Sequence, residues 1–340
     1  NKNIRLNMNK FEFFKKNISS DFHDDIKITM SPATSFRSRC EFSYSDNSYV
    51  MFEKDKKLYL DDFALASRCI RNIMPNLLDE INKSVCLDKK LFQINFRANS
   101  NNIVLATLIY HKSINDEMIN KIESISKKLN INLIVRSKNY IYRTSDNYFE
   151  DFINNIKVYQ TDNCFYQPNK FLLTKMINRV ELYIEHPKDL LELYCGVGTF
   201  TLQLANKFNR IFATESNRES IKCLDKAIAI NKLTNIYKSR LSAEELDEAF
   251  NGRSFFRMKD IDLNEFNFSH VLVDPPRSGL TDEVINLISK FKNIIYISCN
   301  GETYLRDIKK LRSHKIKKIE IFDQFPNTRH MEVVSLLSAI

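Results

Sequence analysis

Three residues near the C-terminus carry side chains that can make and break bonds. Cys299 sits in the run IYISCN, directly after an apolar stretch that reads as a buried strand. Most free cysteines are small buried hydrophobes. The following helix is expected to begin near Glu302, and the positive end of a helix favours a thiolate. Asp274, in VLVDPPRSGL, closes a second strand. Pro275 and Pro276 force the chain to leave the sheet there, as an active-site wall or as a plain loop. Glu332, in DQFPNTRHMEVVSLL, opens the last expected strand just after Arg329 and His330; taken alone it reads as a solvated surface carboxylate. A thiolate is a nucleophile and a carboxylate is a base. Together they offer covalent catalysis with general-base assistance.

A second constellation lies upstream. Glu192-Leu193-Tyr194-Cys195-Gly196-Val197-Gly198-Thr199 closes a strand with a G-x-G turn, and Glu215 closes the next strand, 19 residues after Gly196. The glycines let backbone approach a ligand, and an acid at that place can accept both hydrogen bonds of a ribose diol. A dinucleotide and S-adenosylmethionine both fit. The dinucleotide fingerprint wants a third glycine, which this turn lacks, and that disfavours NAD. A methyl donor beside a thiolate and a carboxylate selects one acceptor. Carbon 5 of a uracil is a poor nucleophile until a thiolate adds to C6. A base must then remove the C5 proton so that the thiol can leave.

The elements that position these residues change character near residue 161. Before it, SRCEFSYS and VMFEKDKKLYL read as neighbouring strands, and DDFALASRCIRNIMPNLLDEINKSV reads as a helix opening at Asp61 and Asp62. LFQINFRANSNNIVLATLIYHK reads as two strands around Asn99–Asn102, NDEMINKIESISKKLN as a helix and INLIVRS as a strand. This is an α+β domain, residues 1–160, whose first thirty or so residues can pack on the following domain. In 161–340, DLLELY, RIFATE, HVLVDPP and NIIYISCN are strands, each followed by a helix, the first of them TFTLQLANKF; KIEIFDQF and EVVSLLSA add two more strands. Repeated β–α units predict an α/β fold with a doubly wound, mostly parallel sheet, which binds ligands beyond the carboxyl ends of its strands.

The 340 residues are 43% hydrophobic and 27% charged, ordinary for a globular chain. No apolar run approaches the ~20 residues of a membrane helix, so no membrane role is expected. The N-terminal stretch has no secretory-signal pattern. The seven cysteines form no C-x-x-C pair, so neither a metal site nor an iron–sulfur cluster is expected, and scattered thiols fit the cytoplasm. Net charge is +9, with 24 basic against 18 acidic residues in 1–150 and 27 against 24 in 151–340. Such a surface fits a polyanionic partner, although a Lys-rich composition alone yields the same count.

The motifs FYQPN (165–169), LLELYCGVGTF (190–200), ATES (213–216), VDPPRSGL (273–280), YISCN (296–300) and FDQFPNTRHME (322–332) resemble those of the bacterial tRNA (uracil-5-)-methyltransferase family. In the first half, SPATSFRSRCEFSY (31–44), LFQINF (91–96) and LIYHK (108–112) extend the likeness. The resemblance implies a Rossmann-like methyltransferase domain behind an RNA-binding domain. It implies Cys299 as nucleophile and Glu332 as base, with S-adenosylmethionine held by Gln167, Tyr194, Gly196, Gly198, Thr199, Glu215 and Asp274. It places Phe92 and His111 against T-loop bases, and implies methylation of the uridine at position 54 of tRNA, with tmRNA as a further substrate. Gly301 departs from a usual proline and Val333 from a frequent cysteine; Gly301 is expected to loosen the Cys299 loop. Related rRNA enzymes carry an extra β-barrel and a cysteine cluster, neither of which is found in this sequence, so tRNA is the expected substrate.

The target base must leave its stack, and basic and aromatic side chains offset that cost. Arg37, Arg39, Phe92, Phe96, His111 and Arg277 are the candidate RNA contacts, with Phe96 equally readable as core. No obligate protein partner is evident. Three rivals stay open: an rRNA 5-methyluridine enzyme, an amine or cytosine methyltransferase, and a tRNA-binding protein whose work is refolding.

Overall fold

The computed structural model describes residues 2–53, 56–326 and 328–340, with side chains from residue 10 onward. The chain divides into two compact units: Asn1–Ser31 with Ile153–Gln167 and Phe171–Ile340, and Pro32–Phe152 with Pro168–Lys170. The sequence boundary at 160/161 is thus crossed at Phe152/Ile153, and the first 31 residues belong to the later unit.

Helix α1 (Lys2–Ile18) forms because apolar residues recur on one face. Phe11, Phe14 and Ile18 are buried in the core of the larger unit, at the i, i+3, i+7 spacing of a helix. The short strand β1 (Lys27–Thr29) follows.

In the smaller unit, β2 (Arg39–Ser45), β3 (Ser48–Glu53), β4 (Lys56–Leu60), β5 (Leu91–Ala98), β6 (Val104–Tyr110), β7 (Asn132–Ser137) and β8 (Tyr140–Arg143) make one sheet in the order β4-β3-β2-β5-β6-β7-β8. Helices α2 (Arg68–Asn82), α3 (Val85–Asp88) and α4 (Asp116–Leu129) accompany it. The run VMFEKDKKLYL is two antiparallel strands, β3 and β4, where a single strand was expected. Helix α2 starts at Arg68, not at Asp61. Residues 64, 65 and 67 are taken by hydrogen bonds to Ser35 and Arg37, and Asp62 faces Arg71. The Asn99 turn forms as read: its Oδ1 accepts from the Asn101 and Ile103 amides.

Strands β9 (Phe149–Ile153) and β10 (Ile156–Gln160) form a two-stranded ribbon. Its turn residues Asn154 and Asn155 have φ of 46° and 67°, a conformation asparagine tolerates. The larger unit then alternates α5 (Lys170–Tyr183), β11 (Asp189–Leu193), α6 (Thr201–Leu204), β12 (Arg210–Thr214), α7 (Arg218–Ile230), β13 (Ile236–Ser239), α8 (Ala243–Phe250), β14 (Phe268–Val273), α9 (Asp282–Ile288), β15 (Asn293–Ser298), α10 (Gly301–Ile308), β16 (His314–Phe322) and β17 (Glu332–Ala339).

Its eight-stranded sheet runs β1-β16-β17-β15-β14-β11-β12-β13. The pairs β15–β14, β14–β11, β11–β12 and β12–β13 are parallel, and β17 runs antiparallel between β15 and β16. This is the doubly wound Rossmann-like arrangement expected of a methyltransferase domain. Chain order reverses between β11 and β14, so a crevice opens beyond their carboxyl ends. The expected helix TFTLQLANKF shrinks to α6, four residues that are all buried. Among the described residues no helix is long and apolar enough to cross a membrane.

Candidate active site

The turn after β11 is shaped by three residues in the left-handed region: Tyr194, Gly196 and Gly198, with φ of 60°, 57° and 88°. A tyrosine held there is strained by about 1–3 kcal/mol. A Cβ on Gly198 would lie 2.5 Å from Leu224 Cδ1, so glycine lets α7 approach the turn. A Cβ on Gly196 would meet nothing within 4 Å, leaving open space beside the backbone. Glu215 closes this turn from β12: its carboxylate accepts from the Gly196 amide at 3.0 Å and from the Asn217 amide at 2.7 Å. Gly196 and Glu215 are therefore in contact, and part of the acid's hydrogen-bonding capacity holds the turn itself. Thr199 is half-buried on the same turn. Gln167 is buried, and its Oε1 accepts from Gln324 Nε2 at 3.0 Å, which ties FYQPN to the DQF segment after β16.

The second half of the site is built by strand register. Ser298 of β15 lies opposite Val333 of β17 in an antiparallel pair. The next residues outward are Cys299 and Glu332, so their side chains share one face of the sheet rim. Asp274 follows Val273, which pairs with Tyr296 on β15. Cys299 is half-buried. Its thiol is pushed up to about 12 by burial, then by the negative charge of Glu332 and Asp274, with Arg277 opposing. The expected lowering by the next helix is outweighed. Glu332 is 1% exposed, contrary to the surface reading. Neither carboxylate oxygen has a hydrogen-bond partner among the described residues. Burial, then Asp274, raises its pKa well above the usual carboxylate range, and Arg277 pulls it back. Asp274 is likewise raised by burial. Two carboxyls sharing such a site favour a neutral state.

The loops carrying these groups are tied together. The Arg277 carbonyl accepts from Asn300 Nδ2 at 3.1 Å and Thr303 Oγ1 at 3.3 Å, joining DPPR to SCN. Asp307 on α10 is fully buried and accepts from the Leu280 amide, the Tyr296 hydroxyl and Arg306. Gly279 has φ of 76°, and a Cβ there would lie 2.5 Å from Asp307 Oδ2.

Sequence reasoning passed over Asp307 and Glu192. Glu192 is 1% exposed in the middle of β11, its Oε2 has no partner among the described residues, and burial raises it to about 8. Asp274 adds to that rise. A lone acid inside the apolar run LLEL was the available signal.

In the smaller unit, Phe92 is 46% exposed and stacks on His111, with ring centroids 4.4 Å apart and planes 18° from parallel. Arg39 is paired with Glu41 at 2.6 Å. Arg37 is half-buried, and its Nε has no partner among the described residues. Phe96 is fully buried between Phe42 and Tyr49. It is a core residue and leaves the set of RNA contacts.

Comparison with known proteins places the chain among relatives. A protein from Campylobacter concisus named tRNA/tmRNA (uracil-C(5))-methyltransferase is 40% identical over 342 residues, 97% of this chain and 93% of that one. Its namesake in Acinetobacter baumannii (strain ACICU) is 37% identical over 334 residues, 93% of this chain and 92% of that one. The crystal structure of Pyrococcus abyssi tRNA (uracil-54, C5)-methyltransferase in complex with S-adenosyl-L-homocysteine superimposes with a TM-score of 0.77 at 21% identity, covering 96% of this chain and 82% of that one; it shares the fold. The sequence profile described as tRNA (Uracil-5-)-methyltransferase matches residues 3–340, and the chain belongs to that family.

Proposed function

We propose that the protein methylates carbon 5 of the T-loop uridine at position 54 of tRNA, using S-adenosylmethionine, Cys299 as nucleophile and Glu332 as general base. The observation that carries this reading is the cross-strand placement of a half-buried thiol beside a buried carboxyl group that has no hydrogen-bond partner among the described residues. An amine acceptor needs no such thiol. The names of the relatives extend the proposal to tmRNA.

The residues at the crevice fit the methyl donor. Open space lies at Gly196, and Glu192 and Glu332 carry buried carboxyl oxygens that have no hydrogen-bond partner among the described residues and would ionise beside a cation. Gln167, Tyr194, Gly196, Gly198, Thr199, Glu215 and Asp274 would hold it. When bound, it supplies an electrophilic methyl on a positively charged sulfur, and that charge favours ionised neighbours.

Cys299 Sγ bonds to C6 of the flipped uracil, and the C5–C6 electron pair moves toward C5 and O4. C5 is then nucleophilic and takes up the methyl group. A Glu332 oxygen removes the C5 proton, the double bond re-forms, and the Cys299 thiolate leaves. Keeping Glu332 dry makes it a stronger base once ionised. Phe92 and His111, with Arg37, Arg39 and Arg277, are the proposed RNA contacts. An exposed aromatic stack suits a splayed base.

Incubation with labelled S-adenosylmethionine and a T-arm hairpin tests the function. The expected product is 5-methyluridine in the hairpin. Labelling of rRNA fragments instead would move the substrate, and labelling of cytidine would overturn the chemistry.

A further inference from the structure

Helix α1 precedes the smaller unit in the chain, yet it touches both catalytic loops. Phe14 is 1% exposed and lies against the start of α10: a Cβ on Gly301 would stand 2.9 Å from Phe14 Cδ2. Its ring is also 5.9 Å from that of Tyr304. Gly301 is two residues from Cys299. One turn earlier, Lys10 is buried. Its Nζ donates to Asp323 Oδ1 at 2.6 Å, to the Phe325 carbonyl at 3.3 Å and to the His330 carbonyl at 2.9 Å. His330 is two residues before Glu332. A cavity of about 300 Å³ is lined by Phe13, Phe14, Gly301, His330 and Met331 among others, so α1 and both loops border one space.

We propose that Lys10 and Phe14 are positioning residues for the methyl transfer: Phe14, seated on Gly301, sets the Cys299 loop, and Lys10 sets the segment that delivers Glu332. The inference rests on the function proposed above. It also accounts for the glycine after SCN. The absent side chain makes room for a ring, so the loop is filled from outside and not loosened. A cyclic or branched residue at 301 would collide with Phe14.

The two contacts govern different steps, which separates positioning from general stability. Gly301→Ala pushes on the Cys299 loop, so covalent adduct formation is expected to slow about tenfold, as small misplacements of reacting groups do, with KM for hairpin and cofactor little changed. Gly301→Ala/Phe14→Val is expected to recover most of that loss. Lys10→Met frees the Glu332 segment. Adduct is expected to form at the normal rate and to persist, because proton removal is slowed. Asp323 would be left as a buried unpaired charge, so Lys10→Met/Asp323→Leu is the folded companion and is expected to accumulate adduct too. Rapid-quench kinetics with the T-arm hairpin and denaturing gels read each step, with thermal melts alongside. If Glu332→Gln yields no adduct, the proposed function itself is wrong. If Glu332→Gln traps adduct but both Lys10 variants resolve it normally, and Phe14→Val does not rescue Gly301→Ala, the positioning role is overturned.

Discussion

Cys299 and Glu332 are cross-strand neighbours, each one residue beyond the Ser298–Val333 pair of β15 and β17. The strand pairing itself fixes this relationship, so the proposed nucleophile and base are held at the end of a paired sheet. Burial raises both groups, and Arg277 is the positive charge that opposes the rise in each.

Arg277→Met removes that opposition. Both pKa values rise, less thiolate is present at a given pH, and the rate of adduct formation is expected to shift to higher pH by up to about one unit. Single-turnover rates from pH 6 to 10 check this. A uniform loss with an unmoved profile would mean that Arg277 acts on RNA alone.

Glu332→Gln should change how stability depends on pH. Folded Glu332 and Glu192 titrate above their unfolded value of about 4.3, Glu192 near 8. Between those values the folded state holds more protons than the unfolded state, so stability falls as pH rises through the window. Removing Glu332 removes part of that fall. Thermal melts at pH 5 and pH 8 should show the variant gaining on the wild type toward pH 8. Parallel curves would show that Glu332 is ionised in the folded protein.

Gly198→Ala adds both a strained φ and a 2.5 Å contact with Leu224, whereas Gly252→Ala adds the strain alone, with nothing within 4 Å of its Cβ. Gly198→Ala is expected to cost about 1–3 kcal/mol more than the control and to weaken S-adenosylmethionine binding. Denaturant melts and calorimetry measure the two effects, and equal costs would mean that α7 yields.

Phe92→Ala and Phe96→Ala should diverge, although they lie four residues apart. Phe92 is exposed on His111, so its loss should raise KM for the hairpin and leave stability within about 0.5 kcal/mol. Phe96 is core, and its loss should cost about 3–5 kcal/mol. Equal melting losses in the two variants would contradict the assignment.

Where the candidate site's residues lie was legible because they stand at strand ends, and a buried parallel strand announces itself as an apolar run followed by glycine or proline. DLLEL, HVLV and NIIYIS are of this kind. The environment of each group was not legible. Glu332 reads as exposed because polar residues precede it, yet β15 and β16 flank it on both sides. The helix start after Cys299 is visible in the sequence, whereas the two carboxyls that raise its thiol come beside it only through long-range strand pairing. Phe96 and Phe92 sit on one strand at an even spacing, where alternation alone cannot separate them; a register irregularity between Leu91 and Gln93 turns Phe92 outward. Helix α8 was missed despite a local signal, the capping box of Ser242 and Glu245.

The central claim is that Cys299 and Glu332 work as a pair on one uracil, and a trapping experiment tests it most directly. Glu332→Gln is mixed with S-adenosylmethionine and a T-arm hairpin, and the product is resolved on a denaturing gel and by mass spectrometry. The expected result is a covalent species equal to protein plus methylated hairpin, linked at Cys299, which does not form in Cys299→Ala/Glu332→Gln. Formation of 5-methyluridine by Cys299→Ala, or free turnover without adduct in Glu332→Gln, would contradict it.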